Sequence, residues 1–544
     1  MQDLIGAVAQ LSPKERKALA ILLKQKGINL FGVAPIFKRS ADEPQLLSYA
    51  QERLWFLWQL EPQSTAYHIP MVLKLSGTLD LPALQASFDA LVARHEALRT
   101  RFAQDGEQVV QVIAAAAPLS IERQALPAGI AEQALLEQVE AEIQRPFDLE
   151  QGNLLRVKLF SLGSDEQVLV LTQHHIVSDG WSMQVMVDEL LALYAGAVAG
   201  RPVELPPLAI QYPDYALWQR QWMEAGERER QLAYWRTQLA GEQPVLSLPH
   251  DRLRPQQQSY RGATLDLQLP DGLAAQLAGL ALRQGVTLFT LLLAAFQVLL
   301  QRHSGQADIR VGVPIANRKR SETEALIGFF VNTQILRAEV DGQQPFAAFL
   351  QQLKHTVLQA QEHQDLPFEQ LVDALQPERN LSHNPLFQVL FNHQSESAQV
   401  LAPTLAGLRV DTLALGNATA QFDLTLNTVQ CEDQLAASLT YATDLFDAST
   451  VERLAAHWLN LLQAVVANPE QRIAELPMQA PAEQAASLAE WNADSRDFPA
   501  QACLHQLIEA QAARVPDATA VVFQEQRLSY AELNAQANQL AHYL

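Results

Sequence analysis

Residues 167–191, QVLVLTQHHIVSDGWSMQVMVDELL, bring two adjacent histidines, His174 and His175, close to Asp179 and Gly180. An imidazole titrates near ~6.5, so it can take up or release a proton at neutral pH. Gly180 permits a tight turn and a close approach of backbone to a ligand, and its N–H can donate to an oxyanion. Neighbouring side chains on a strand face opposite ways, so only one of the two histidines can point into a given cleft. Asp179 lies four residues beyond His175, about 13 Å away if the chain runs extended at ~3.3 Å per residue. It is poorly placed to orient that imidazole and is expected to pair with an arginine elsewhere and fix the loop. A histidine at a strand end or an Asp-Gly turn is a common structural feature by itself. Their conjunction between a strand and a helix is what points to chemistry.

The elements that hold these residues follow from the pattern around them. Val168 to Thr172 is apolar on both faces and reads as a buried strand; Ser182 to Tyr194 carries Val185, Leu190 and Leu191 at helical spacing. Reactive groups in α/β proteins gather at the carboxyl ends of such strands. Leu154 to Leu162 forms a hairpin with the strand, through a Gly-Ser-Asp-Glu turn. Ile69 to Leu75 is a further strand, and Asp80 caps a helix expected to run through Leu98, with Leu84, Phe88 and Leu91 on one face. Ser12-Pro13-Lys14-Glu15 is a capping box within a helical stretch over residues 1–27 that stops at Gly27. That helix either packs on the main domain or docks an upstream protein. A Pro/Gln-rich bridge near Pro249 to Gln258 precedes a second run of similar order: a strand at Ala263 to Leu269, helices at Asp271 to Gln284 and Leu288 to Arg302, and a strand at Ile309 to Ala316. A strand pair begins at Gln421 to Leu426. The expected organisation is a helical segment and connector over 1–46 and two α/β lobes over 47–250 and 251–476 that face each other across a cleft. An Ala/Gln/Pro-rich linker over 477–501 and a last segment over 502–544 follow.

The HHxxxDG pattern resembles the active-site motif of condensation domains of bacterial nonribosomal peptide synthetases, relatives of chloramphenicol acetyltransferase. LSYAQERLWFLWQLEP (Leu47 to Pro62), RHEALRTRF (Arg94 to Phe102) and YPDYALWQR (Tyr212 to Arg220) resemble further motifs of that family, as do VGVPIANRKR (Val311 to Arg320), IGFFVNT (Ile327 to Thr333), HQDLPFEQLVDAL (His363 to Leu375) and NPLFQVLFNHQ (Asn384 to Gln394). Residues 502–544 resemble the opening of an adenylation domain and stop before any phosphate-binding loop, so adenylation is not expected of this chain alone. The resemblance implies two chloramphenicol acetyltransferase-like lobes in a pseudo-dimeric V with a central tunnel, and a segment near Gln421 that latches the lobes. It implies that an acceptor α-amine attacks a donor aminoacyl or peptidyl thioester. Phosphopantetheine arms would be supplied by donor and acceptor carrier proteins, because no Gly-Gly-x-Ser carrier motif is present and no cofactor is bound covalently. His175 and Gly180 would be catalytic, His175 either as a base or as a positioning group for the amine. His174, Asp179, Arg94, Arg99 and Arg318 would be structural, and Ser178, Trp181 and Asn332 would line the tunnel. An epimerisation domain shares the motif but follows a carrier; a heterocyclisation domain replaces the paired histidines with an aspartate motif; a recruitment module on the same fold would have a decayed site.

Composition narrows the classes. The 544 residues suffice for several domains, and 48% hydrophobic content suits a globular protein. A formal charge of −21 argues against nucleic acid as a partner. Two cysteines, Cys431 and Cys503, argue against a disulfide framework or a cysteine-rich zinc site and fit a reducing cytoplasm. The N-terminus lacks the order of a signal peptide, and no apolar run reaches ~18 residues, so no membrane partner is expected. The family resemblance implies a monomer.

Overall fold

The computed structural model describes residue 8 and residues 11–544 apart from 41, 128, 377–379, 397–406, 414–418, 432–433 and 493–500. The chain divides into two units, residues 1–478 and 479–544. Helix α1 (Pro13–Lys24) starts at the anticipated capping box, with the Ser12 side chain accepting from Glu15 N and Pro13 in the first turn. The rest of the 1–10 stretch, Val8 apart, lies outside the described residues. Helix α2 (Tyr49–Leu60) opens on a second capping box, between Ser48 and Gln51.

The first sheet contains β1 (His68–Ser76), β4 (Ile121–Ala125), β5 (Leu155–Ser161), β6 (Glu166–His174) and β11 (Arg409–Thr412). Their order is β11-β1-β6-β5-β4. β6 is antiparallel to both β1 and β5, whereas β4 runs parallel to β5. Alternation along these strands separates two cores. Leu73, Leu75, Leu155, Val157, Leu169 and Leu171 join one large cluster. Val72, Phe160, Val168 and Val170 turn to the other face, against Leu135 and Val139. Helix α3 (Leu81–Arg94) is capped by Asp80 as expected, but it ends at Arg94. His95 is extended (φ −105°, ψ 109°), and Glu96–Arg99 is a single 3₁₀ turn, so the helix does not run to Leu98. A separate hairpin, β2 (Thr100–Asp105) and β3 (Gln108–Ile113), follows it.

The second sheet is built from β7 (Gly262–Leu267), β8 (Asp308–Ile315), β9 (Asn332–Glu339), β10 (Val389–Glu396), β12 (Leu424–Cys431) and β13 (Gln434–Ala442). Their order is β7-β13-β12-β10-β8-β9. The Leu288–Ser304 helix fills the core of this lobe with an unbroken buried run from Leu291 to Leu300. Trp235, Leu239, Leu246 and Leu248, which precede residue 251, also join this second core.

The two lobes share segments. Strand β11 lies in sequence between strands of the second sheet but pairs antiparallel with β1 in the first. Leu326, Ile327, Phe330, Leu408 and Val410 are buried in the core of the first lobe. Gln421 Nε2 donates to Ala66 O at 2.8 Å, across the cleft. The Gln421 bond lies in the segment where a latch is expected, and the other contacts lie outside it. Among the described residues no single helix is long and apolar enough to cross a membrane.

The second unit, described by itself, has a Pro481–Trp491 helix, a Leu504–Arg514 helix, a hairpin of β14 (Thr519–Phe523) and β15 (Gln526–Ser529), and a Tyr530–Tyr543 helix.

Candidate active site at the lobe junction

β6 ends at His174, and the chain makes one 3₁₀ turn, His175–Val177, before helix α4 (Gly180–Val198) begins. The turn is held from three sides. His175 N donates to Tyr67 O at 2.8 Å, just ahead of β1. Ile176 N donates to His174 Nδ1 at 3.1 Å, and Gln51 Nε2 of α2 donates to Ile176 O at 3.0 Å. The backbone of the loop is therefore fixed before any substrate arrives.

His175 Nδ1 lies 3.0 Å from Ser178 O. A carbonyl oxygen only accepts, so Nδ1 carries the proton and Nε2 presents a lone pair. Among the described residues Nε2 has no hydrogen-bond partner. The ring is further confined by Phe329, whose centroid is 5.2 Å away in an edge-on arrangement. Burial lowers the imidazole's pKa below its usual value, opposed by the Asp179 charge and the bond to Ser178. His175 is thus kept neutral, as a base or a hydrogen-bond acceptor must be.

Asp179 is wholly buried and does not hydrogen-bond His175. Its Oδ1 caps α4 by accepting from Ser182 N at 2.8 Å and also accepts from Arg318 Nη2 at 3.1 Å. Its Oδ2 accepts from Phe330 N at 3.0 Å. The Arg318 side chain is only 1% exposed. It also donates to Ser182 Oγ, Thr323 O and Leu326 O, and its guanidinium lies 4.1 Å from the Phe330 ring. Ser182 Oγ in turn donates to Gly328 O at 2.8 Å and accepts from Gly328 N at 3.1 Å. The 327–330 segment of the second half is thereby stapled to the helix that follows the histidine loop.

Gly180 is the first residue of α4, exposed, and not in the left-handed region; a Cβ there would meet nothing within 4 Å. The tight turn expected of this glycine is therefore not what the fold requires of it. Its N–H sits at the amino end of a 19-residue helix, where N–H groups are unpaired and favour negative charge. Among the described residues no acceptor takes that N–H.

Several expected site residues do other work. Arg94 Nε pairs at 3.0 Å with Glu189, well along α4 from Asp179, and Arg94 Nη2 donates to Pro206 O. Arg99 reaches Ala114 O and lies 4.0 Å from Glu96. Neither joins the Asp179 network, which has Arg318 as its cation. The Asn332 amide is engaged within the protein: Nδ2 donates to Gln364 O and Leu366 O, and Oδ1 accepts from Phe368 N. Trp181 is 48% exposed, and its Nε1 donates to Glu324 O at 2.9 Å, bracing the start of α4 on the second half. Ser178 is buried and contributes its carbonyl to His175. His174 packs behind the loop, its ring edge-on to His68 and Phe147, and burial holds its pKa well below the usual range.

Sequence reasoning missed Gln51, Tyr67, Ser182 and Phe329 as supports, and Tyr212. Tyr212, on the Tyr212–Trp222 helix, donates its hydroxyl to Phe329 O and lies 2.8 Å from Ser48 Oγ. A Cβ on Gly328 would come within 1.9 Å of the Tyr212 ring. The one local signal was a glycine ahead of two phenylalanines, which marks a close approach.

An α/β protein with a buried strand delivering a neutral histidine to the junction of two lobes, beside an unpaired helix N-terminus, has the architecture of the chloramphenicol acetyltransferase-like fold. A family described as "Condensation domain" matches residues 42–488, and the chain belongs to it. The chain is 42% identical over 529 residues to a linear gramicidin synthase polypeptide of Brevibacillus parabrevis, and 43% identical over 507 residues to malpibaldin synthetase of Mortierella alpina. Those alignments span 97% and 93% of this chain but only 10% and 9% of the relatives. Among solved structures it resembles the X-domain from teicoplanin biosynthesis at 31% identity and a TM-score of 0.75, covering 82% of this chain and all of that one. It also resembles a four-domain nonribosomal peptide synthetase bound to AMP and glycine at 25% identity and a TM-score of 0.75, covering 92% of this chain and 39% of that one.

Proposed function

We propose that this chain forms amide bonds in nonribosomal peptide synthesis, in a bacterial cytoplasm. A donor aminoacyl or peptidyl group arrives as a thioester on the phosphopantetheine arm of one carrier protein, and an aminoacyl thioester arrives on a second. The acceptor α-amine attacks the donor carbonyl carbon, a C–N bond forms, the C–S bond breaks, and the amine's proton ends on the departing thiol. One observation carries the reading: His175 Nε2 presents a free lone pair, its tautomer fixed through Nδ1 by Ser178 O at 3.0 Å. A free α-amine titrates near ~7.7–8.0, so a fraction is already neutral at pH 7. The imidazole then has to orient that amine and accept its proton as the tetrahedral intermediate forms. Gly180 N–H is the donor assigned to the oxyanion; one such donor is typically worth ~10²–10³ in rate. Asp179 and Arg318 hold the loop and the 327–330 segment together without touching substrate, and Ser178 serves through its carbonyl.

Residues 42–478 are read as the condensation unit, in two lobes, the second of which draws its core from Trp235 onward rather than from residue 251. Residues 502–544 are read as the opening of an adenylation domain, the natural source of the acceptor. Val522, Phe523, Leu504 and Leu540 are exposed in this unit.

The test is intact-mass spectrometry of an acceptor carrier after mixing loaded donor and acceptor carriers with this chain. Wild type should add the donor residue, and His175→Ala should slow that transfer by ~10²-fold or more. Equal transfer by both would remove His175 from the chemistry. Carrier binding without transfer by wild type would favour the recruitment module weighed from the sequence, a reading the X-domain likeness also supports: one such structure is described as a complex of the X-domain with OxyB.

A further inference from the structure

A second cleft opens beside the histidine loop. It is lined by Leu54, Leu57 and Trp58 of α2 together with Tyr67, His174 and Tyr260. The cleft lies against the turn that carries the reactive histidine, because the backbone N–H of His175 donates to Tyr67 O. His174 is 4% exposed. Its Nδ1 accepts from Ile176 N, so the proton sits on Nε2, and no described protein acceptor takes it up. The phenol groups of Tyr67 and Tyr260 likewise have no hydrogen bond to a described residue, and burial pushes the Tyr260 phenol up to about 12, so it stays protonated.

Tyr260 is held in place at a conformational cost. Its φ of 58° is left-handed, a region uncommon for bulky residues. Its carbonyl accepts from Ala420 N at 2.8 Å, and a Cβ on nearby Gly262 would lie 2.6 Å from that same nitrogen, so the strand entry is pinned against Ala420. Two of the lining residues are also tied, with Gln257 Nε2 donating to Glu61 Oε1 at 2.7 Å. Apolar walls with a few convergent donors describe a site for a large, mostly apolar group.

We propose that this cleft is a side-chain subsite that takes the bulky, aromatic side chain of one of the two aminoacyl groups and thereby sets substrate preference. The inference rests on the amide-forming reading above. The test uses the whole chain with four carrier pairs, alanyl or phenylalanyl on the donor and on the acceptor. Two variants probe the cleft: Tyr260→Asn removes the ring with a residue that tolerates the left-handed backbone, and Leu57→Trp fills the space. In both, the ratio of phenylalanyl to alanyl transfer should fall about tenfold on one side of the reaction, donor or acceptor, while alanyl–alanyl transfer holds. The side on which it falls identifies the group the cleft serves. An unchanged ratio on both sides, or a parallel fall of alanyl and phenylalanyl rates, overturns the subsite and leaves amide formation standing. No product from wild type with any pair would bring down the amide-forming reading itself, and the subsite with it.

Discussion

The two histidines of one motif are set to opposite tasks by a single atom each. His175 uses Nδ1 as a donor and keeps Nε2 bare, whereas His174 uses Nδ1 as an acceptor and keeps its proton on Nε2. This has a kinetic signature. The acceptor amine titrates near ~7.7–8.0, and His175 titrates below its usual ~6.5 because burial disfavours its charged form. As pH falls, transfer should first decline with unit slope, as the amine protonates. It should steepen only below pH ~6.5, where Nε2 loses its lone pair. A pH–rate profile of His175→Gln should lack that second break. A break that persists in the variant would assign the ionisation to another group.

Between elements, the decisive contact is the buried pair of Asp179 and Arg318, which joins α4 to the second half. Removing one partner leaves the other charge buried. Arg318→Met alone should therefore cost about 3–5 kcal/mol in urea unfolding of the chain. Asp179→Asn on that background should recover part of the loss, and additive losses would show that the two do not act as a pair. The local parts of this arrangement were legible in the sequence. The apolar run of β6, the Asp80 cap and the Ser12 capping box each leave a short-range pattern. That Asp179 needs an arginine was legible, but which one was not: Arg318 stood as a candidate beside Arg94 and Arg99, which pair with Glu189 and Glu96 instead. The end of α3 at Arg94 was not legible, because His95 is drawn out of the helix by a distant partner, Glu189, at 2.7 Å. The bonding of Asn332 was not legible for a similar reason: its three bonds run to residues 364, 366 and 368, and no periodicity records them.

At the scale of the molecule, neutral histidines buried in the first lobe make its stability depend on pH. Burial lowers the pKa of His68 to about 4, and that of His174 well below the usual value. Unfolded, both would titrate near ~6.5. Below that pH the unfolded chain binds more protons than the folded one, so stability should be full above pH ~6.5 and decline as pH falls toward 4. Urea midpoints for wild type and His68→Phe, measured from pH 7.5 to 4.5, check this. A midpoint whose pH dependence is as steep in the variant would place the linkage elsewhere. Strand β11 carries a different kind of consequence. It closes the edge of β1 at Ser76, yet it is encoded roughly 330 residues later. At ~5–20 residues per second, a ribosome would leave that edge bare for tens of seconds. The nascent first lobe would spend that interval open to chaperones, or to the edge of another growing chain.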